Sequence, residues 1–112
     1  MQKIILHIST ENKRDQKRLF SQLKNILIEL PDSLIEVATH SSATSLVLSS
    51  GGFEENIIET TSANLKFLAC SNSMRGFNAS ASDLAKGVEI VNSTLAHIVK
   101  RQSEGWIYIK IG

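Results

Sequence analysis

The sequence predicts an α/β fold, three layers of α/β/α type built on a central, mainly parallel sheet of about five strands. Three observations lead there. Short β-rich apolar segments alternate with helical segments along the whole chain, which is the pattern of βαβ units. The first of these segments, Lys3 to Ile8, reads as a strand covered on both faces, as strands of parallel sheets are. The chain has 112 residues, 42% hydrophobic and 21% charged, a globular balance for one domain spanning residues 1–112 with no room for a second.

The elements follow in order. Ser9 and Thr10 offer caps for a helix beginning near Glu11 or Asn12. Leu19, Phe20, Leu23, Ile26, Leu27 and Leu30 recur at helical spacing and form an apolar stripe, with Lys13, Arg14, Lys17 and Arg18 opposite. Pro31 ends that helix, since its ring clashes with the preceding turn and it has no N–H. Leu34 to Thr39 is the second strand. Ser41 or Ser42 caps a short helix carrying Ala43, Leu46 and Val47, closed by Gly51–Gly52.

Another helix is predicted over Phe53 to Ala63, with Phe53, Ile57 and Ile58 turned inward and Asn64 as a left-handed terminator. Leu65 to Ala69 is the third strand and delivers Cys70 at its carboxyl end. The polar stretch Ser71 to Ser80 is expected to hold a helical turn. Ser80 and Asp83 form a capping arrangement for a short helix stopped by Gly87. Val88 to Val91 is the fourth strand. Ser93 caps a helix running to Ser103, burying Leu95, Ile98 and Val99, and Gly105 ends it. Trp106 to Ile111 is the fifth strand.

Composition narrows the function. A net charge of +1 and 5% aromatic residues speak against nucleic acid or a membrane surface as partner. One cysteine excludes an internal disulfide framework and a multi-thiolate metal site in one subunit. No apolar run approaches the roughly 20 residues of a membrane span. Met1–Gln2–Lys3 leads into only Ile4–Ile5–Leu6, short of the roughly 7 to 15 apolar residues of an export signal, so a cytoplasmic protein is expected. Phosphate-loop, dinucleotide and nucleophile-elbow motifs are missing, and acidic residues do not gather at strand ends as magnesium would require. No metal or organic cofactor is indicated.

In open parallel sheets ligands bind beyond the carboxyl ends of the strands. That rule selects His7–Ser9, His40–Ser42 and Cys70–Arg75. A thiol at such an end, with backbone N–H groups ahead of it and Arg75 nearby, is placed to ionise. His40 and His7 are candidate proton carriers for it. The competing readings stay open: Cys70 as a small buried hydrophobe, His40 as a residue bonded at the strand–helix junction, and His7 as a satisfied histidine of the sheet. His97, mid-helix, has no visible partner and reads as structural or interfacial. The basic face of the first helix reads as solvated surface.

At Phe67–Leu68–Ala69–Cys70–Ser71–Asn72–Ser73–Met74–Arg75 the chain resembles the DsrE/DsrF-like family, small α/β proteins that include sulfur-relay subunits. It is most similar to the uncharacterised single-gene members. The resemblance runs through Lys3–Ile8, Ile35–His40, Asp83–Val91 and Gln102–Ile109, and the cysteine block and closing segment are its specific parts. It implies that Cys70 matches the family's cysteine, which carries sulfur as a persulfide in the relay members. It implies a parallel α/β/α fold, assembly into trimers or hexamers, and sulfur donor and acceptor proteins as partners. Asn72, Met74 and Arg75 follow the cysteine as in the family, and His40 ends the second strand as its histidine does. Ser41 departs from the glycine of many relatives.

The leading expectation is therefore a sulfur-relay protein that holds sulfur on Cys70 and passes it to a partner thiol, with Asn72 and Arg75 steadying the anion and His40 or His7 moving protons. The alternative is a homo-oligomeric module that binds a small molecule or anion without covalent chemistry, its cysteine structural. A third reading is an oligomer whose role is partner interaction alone.

Overall fold

A computed structural model describes residues 1–112. The strands are β1 (Lys3–Ile8), β2 (Leu34–Thr39), β3 (Leu65–Cys70), β4 (Glu89–Val91) and β5 (Ile107–Ile111). They form one sheet in the order β4-β3-β2-β1-β5, parallel at every pairing. The helices are α1 (Lys13–Glu29), α2 (Thr44–Val47), α3 (Glu54–Thr60), α4 (Ser71–Gly76) and α5 (Thr94–Ser103), with 3-10 turns over Ser41–Ala43, Ser49–Gly51 and Ala81–Asp83. The expected α/β/α architecture is the one observed.

The winding places the helices. From β1 the chain steps to β2, β3 and β4 in one direction, then crosses back over the sheet to β5 beside β1. Crossovers of one hand put helices on opposite faces when the direction of travel reverses. Accordingly Ile4, Leu6, Ile8, Val37 and Phe67 pack with Leu19 and Leu23 of α1, Leu46 of α2, Ile57 of α3 and Met74 of α4 in the main core. On the other face α5 covers a small cluster of Ile5, Ala38, Ile98 and Trp106. β1 is buried on both sides from Ile4 onward, as its composition predicts.

Caps define the helix ends. Asn12 Oδ1 accepts the Asp15 N–H at 3.1 Å to start α1, and Leu30 closes it just before Pro31. Ser93 Oγ accepts the Ala96 N–H at the start of α5. The Ser80–Asp83 capping box is present, but it closes only a 3-10 turn and no longer helix. Gly51 is obligatory: a Cβ there would lie 1.9 Å from the Ser45 carbonyl oxygen.

Several expectations need correction. α3 stops at Thr60, because Thr60 and Thr61 turn their hydroxyls onto the Asn56 and Ile57 carbonyls. So short a helix seats Ile57 but leaves Ile58 exposed, and Asn64 is not left-handed. Leu30 lies past the end of α1 and is exposed. On α5 only Ile98 of the three predicted residues is buried; Leu95 and Val99 are 53% and 68% exposed. The sheet beneath α5 presents Glu36 and the Thr39 carbonyl, so α5 turns Thr94, His97 and Arg101 inward to meet them. Polar partners, and not the apolar stripe, set its rotation.

Candidate functional site

The winding reverses after β4. β3 leads into α4, whose Met74 packs in the main core, while β4 leads into α5 on the opposite face. The loops therefore diverge between β3 and β4, the place where open parallel sheets bind ligands. Cys70 ends β3 there, paired with Val91 of β4. The Asn72 N–H donates to the Asn92 carbonyl across the gap, 3.3 Å.

Cys70 is 2% exposed. The Thr94 N–H, in the first turn of α5, donates to its Sγ at 3.5 Å. Ser73, one helical turn further on, is the other residue whose side chain and N–H act on the same sulfur. The Ser73 hydroxyl is aimed by a third group: its Oγ accepts the Ser41 N–H at 2.8 Å, which leaves its own proton for the sulfur. Burial pushes the Cys70 thiol up, yet hydrogen bonds from Ser73 and the Thr94 N–H outweigh it and bring it to about 7. The Thr94 hydroxyl adds little, because its proton is committed to the Thr39 carbonyl at 2.7 Å.

Ser41 has φ +54°. That is the left-handed conformation a glycine adopts without cost. Ser41 thus keeps the backbone path that a glycine would give, and its N–H still reaches Ser73. Beyond it, a cleft of about 360 Å³ opens between the Ser41–Ala43 turn and α4, lined by His40, Ser41, Ser42, Asn72, Ser73 and Phe77. Cys70 does not line this cleft, but Ser73 does.

Across the sheet on the α5 side, register sets a row. His7 pairs with Ala38, and Ala38 with Leu68, so His40 and Cys70 follow two residues later on the same face. His7 and His40 have ring centroids 5.5 Å apart. His7 Nδ1 lies 2.8 Å from the Tyr108 hydroxyl. Burial, then the neighbouring His40 and Lys110, lower the His7 pKa, so its ring is neutral near neutral pH.

The structure thus brings His7, His40, Asn72 and Cys70 to one end of the sheet. It does not bring Met74 or the Arg75 guanidinium to the cleft. Met74 packs into the main core, and Arg75 turns back to donate to Asn72 Oδ1. Three further residues contribute that sequence reasoning did not single out: Ser73, Thr94 and Tyr108. Ser73 stands within the cysteine block, one helical turn past the thiol. Thr94 and Tyr108 carry no local signal, since the crossover alone delivers them.

His97 does have a partner. It meets Glu36 at 2.7 Å, and Arg101 clamps the same carboxylate with bonds of 2.9 and 2.8 Å. A larger cleft of about 470 Å³ lies beside this cluster at the amino ends of the strands, bordered by Lys3, Glu36, Lys66, Arg101 and Trp106. Its charges largely pair among themselves, Glu36 and Glu104 with Arg101, and Lys66 with Glu89 of β4.

The whole architecture recurs in MTH1491 of Methanobacterium thermoautotrophicum, a protein of unknown function. The two are 31% identical over 98% of this chain and 99% of that one, with a TM-score of 0.93. The chain belongs to the same family as MTH1491. The ychN protein of E. coli has the same fold at 18% identity and a TM-score of 0.72, covering 98% of this chain and 99% of its own. No protein-family model and no curated protein matches the chain. No helix of the chain is long and apolar enough to cross a membrane.

Proposed function

We propose that this MTH1491 relative is a sulfur carrier of DsrE/DsrF type, holding sulfur as a persulfide on Cys70. One observation carries the reading: the Thr94 N–H donates to Cys70 Sγ at 3.5 Å where the loops after β3 and β4 diverge, and together with Ser73 it brings the thiol to about 7. A thiol with that value is substantially thiolate at neutral pH, and thiolate is the nucleophile. The fold shared with the ychN protein is in keeping with it.

The step balances without an external oxidant. The Cys70 thiolate attacks the terminal sulfur of a donor persulfide, forming one S–S bond as the donor's S–S bond breaks. The donor leaves as a thiolate and takes the proton of the new persulfide. A partner's thiolate later removes the terminal sulfur in the same way. Ser73 and the Thr94 N–H hold the sulfur anion, and His40 carries the proton. Exposed Leu95 and Val99 on α5 support self-association, and the carrier is proposed to work as a cytoplasmic homo-oligomer with donor and acceptor proteins.

The burial of Cys70 to 2% favours one alternative, in which the cleft binds a small molecule or anion and the cysteine is structural. Intact mass after incubation with glutathione persulfide separates the two. The carrier gains one sulfur atom, removed by reductant and absent from Cys70→Ser. No gain, with Cys70 inert to alkylation until unfolding, would establish the structural cysteine.

A further inference from the structure

Tyr108 has no place in the reading above, yet it closes the row that runs from Cys70 across the sheet. It stands on the edge strand β5, and its only hydrogen bond to a side chain is the 2.8 Å contact with His7 Nδ1. His7 is 7% exposed, and its other ring nitrogen, Nε2, is buried with no hydrogen-bond partner. A buried polar nitrogen left unpaired is costly, so its neighbour matters. That neighbour is His40, whose ring lies 5.5 Å away at a tilt of 39°.

The tautomer follows from acidity. A phenol is a far stronger acid than a neutral imidazole N–H, so the Tyr108 hydroxyl donates and His7 Nδ1 accepts. The ring proton then sits on Nε2, the nitrogen without a partner, and His40 is the other ring beside His7. Two imidazoles joined by an N–H···N bond of about 2.9 Å have centroids about 5 Å apart. The observed separation of 5.5 Å is close to that value. His40 would accept from His7 on one nitrogen and carry its own proton on the other, and His40 borders the cleft that Ser73 also lines.

We propose that Tyr108 is a positioning residue for this site: it fixes the tautomer of His7, which in turn orients His40 as the proton donor of the cleft. The proposal rests on the sulfur-carrier reading for its chemistry. His40 gives its proton to the departing donor thiolate and regains one from the terminal sulfur of the new persulfide, so no proton is gained or lost overall. The groups facing His7 support a neutral relay. Lys110 of β5 sits beside it, held at the Ser9 hydroxyl at 3.3 Å, and opposes a charge on the ring. The inward charged groups of α5, His97 and Arg101, go to Glu36 instead.

The test combines nitrogen NMR of 15N-histidine-labelled protein with kinetics of sulfur uptake from glutathione persulfide. In the unsubstituted protein His7 is expected as a single Nε2–H tautomer, and in Tyr108→Phe as a mixture. Positioned proton transfer contributes about 10²- to 10⁴-fold, so Tyr108→Phe should slow uptake at least about tenfold and displace its pH optimum. In a His40→Gln background the same change should add nothing, since Tyr108 acts through His40. An unchanged His7 tautomer in Tyr108→Phe, or an equal slowing in both backgrounds, would overturn the proposal. If the unsubstituted protein takes up no sulfur while the histidine signals still respond to Tyr108→Phe, the carrier reading fails and the tautomer assignment stands.

Discussion

Replacing Arg101 by Met should expose how the sheet tolerates a carboxylate in its interior. Glu36 is 5% exposed in the middle of β2 and accepts two bonds from Arg101 and one from His97. Burial pushes the Glu36 carboxyl up, but hydrogen bonds from Arg101 and then His97, with their charges, hold it below the usual carboxylate range. Removing one partner of a buried pair costs about 3 to 5 kcal/mol, because the other charge stays buried and uncompensated. Arg101 is about a quarter exposed and His97 remains, so about 2 to 4 kcal/mol is expected. Loss of the guanidinium stacked 4.7 Å over Trp106 is included in that figure.

With a urea slope of about 1 to 3 kcal/mol per molar, Arg101→Met should lower the unfolding midpoint by about 1 M or more. The pH dependence has a definite sign. A carboxyl whose folded pKa is depressed adds stability that is present above its unfolded value of about 4 and lost as pH falls through the folded value. The gap between unsubstituted protein and Arg101→Met should therefore be widest near neutral pH and narrow toward pH 3. Glu36→Leu combined with Arg101→Met should regain much of the loss, since no charge is then left unpaired. A change under about 1 kcal/mol, or a gap that does not narrow in acid, would refute the claim that Arg101 holds Glu36 ionised.

Two further outcomes are expected. Ser73→Ala removes a hydrogen bond to a charged group, worth about 1.5 to 3 kcal/mol, so the pH midpoint of Cys70 alkylation by iodoacetamide should rise by about one to two units. An unmoved midpoint would show that the Thr94 N–H alone sets the thiol. At Ser41, φ +54° is strained for a side chain and worst for a β-branched one. Ser41→Gly should melt at or above the unsubstituted protein and Ser41→Val below it, a spread of about 1 to 3 kcal/mol. Equal melting temperatures would mean that the turn relaxes out of the left-handed region.

Much of the framework was readable one residue at a time. The cap at Ser93, the stop before Pro31, the buried β1 and the position of Cys70 at a strand end all depend on neighbours within a few residues; the cap of α1 falls on Asn12, past the expected Ser9 and Thr10. The failures share a cause. His97 looked partnerless because Glu36 is 61 positions away, and α5 turned the wrong face to solvent in the sequence reading for the same reason. A lone carboxylate in the otherwise apolar run Leu34–Ala38 was the available sign that a cation must come to meet it. Met74 beside the cysteine belongs to the core, which only the direction of α4 decides.

By itself the sequence determined the α/β alternation and the strand end that carries the thiol, because hydrophobic periodicity, caps and turn residues act over one or two turns of chain. It also determined where the chain of MTH1491's relative offers histidines, at His7 and His40. Only the tertiary structure decided what surrounds the sulfur. The return crossover from β4 to β5 brings the Thr94 N–H onto Cys70 and lays Tyr108 against His7, contacts between residues 24 and 101 positions apart. Such contacts depend on the order and handedness of the strands, and no local pattern encodes them.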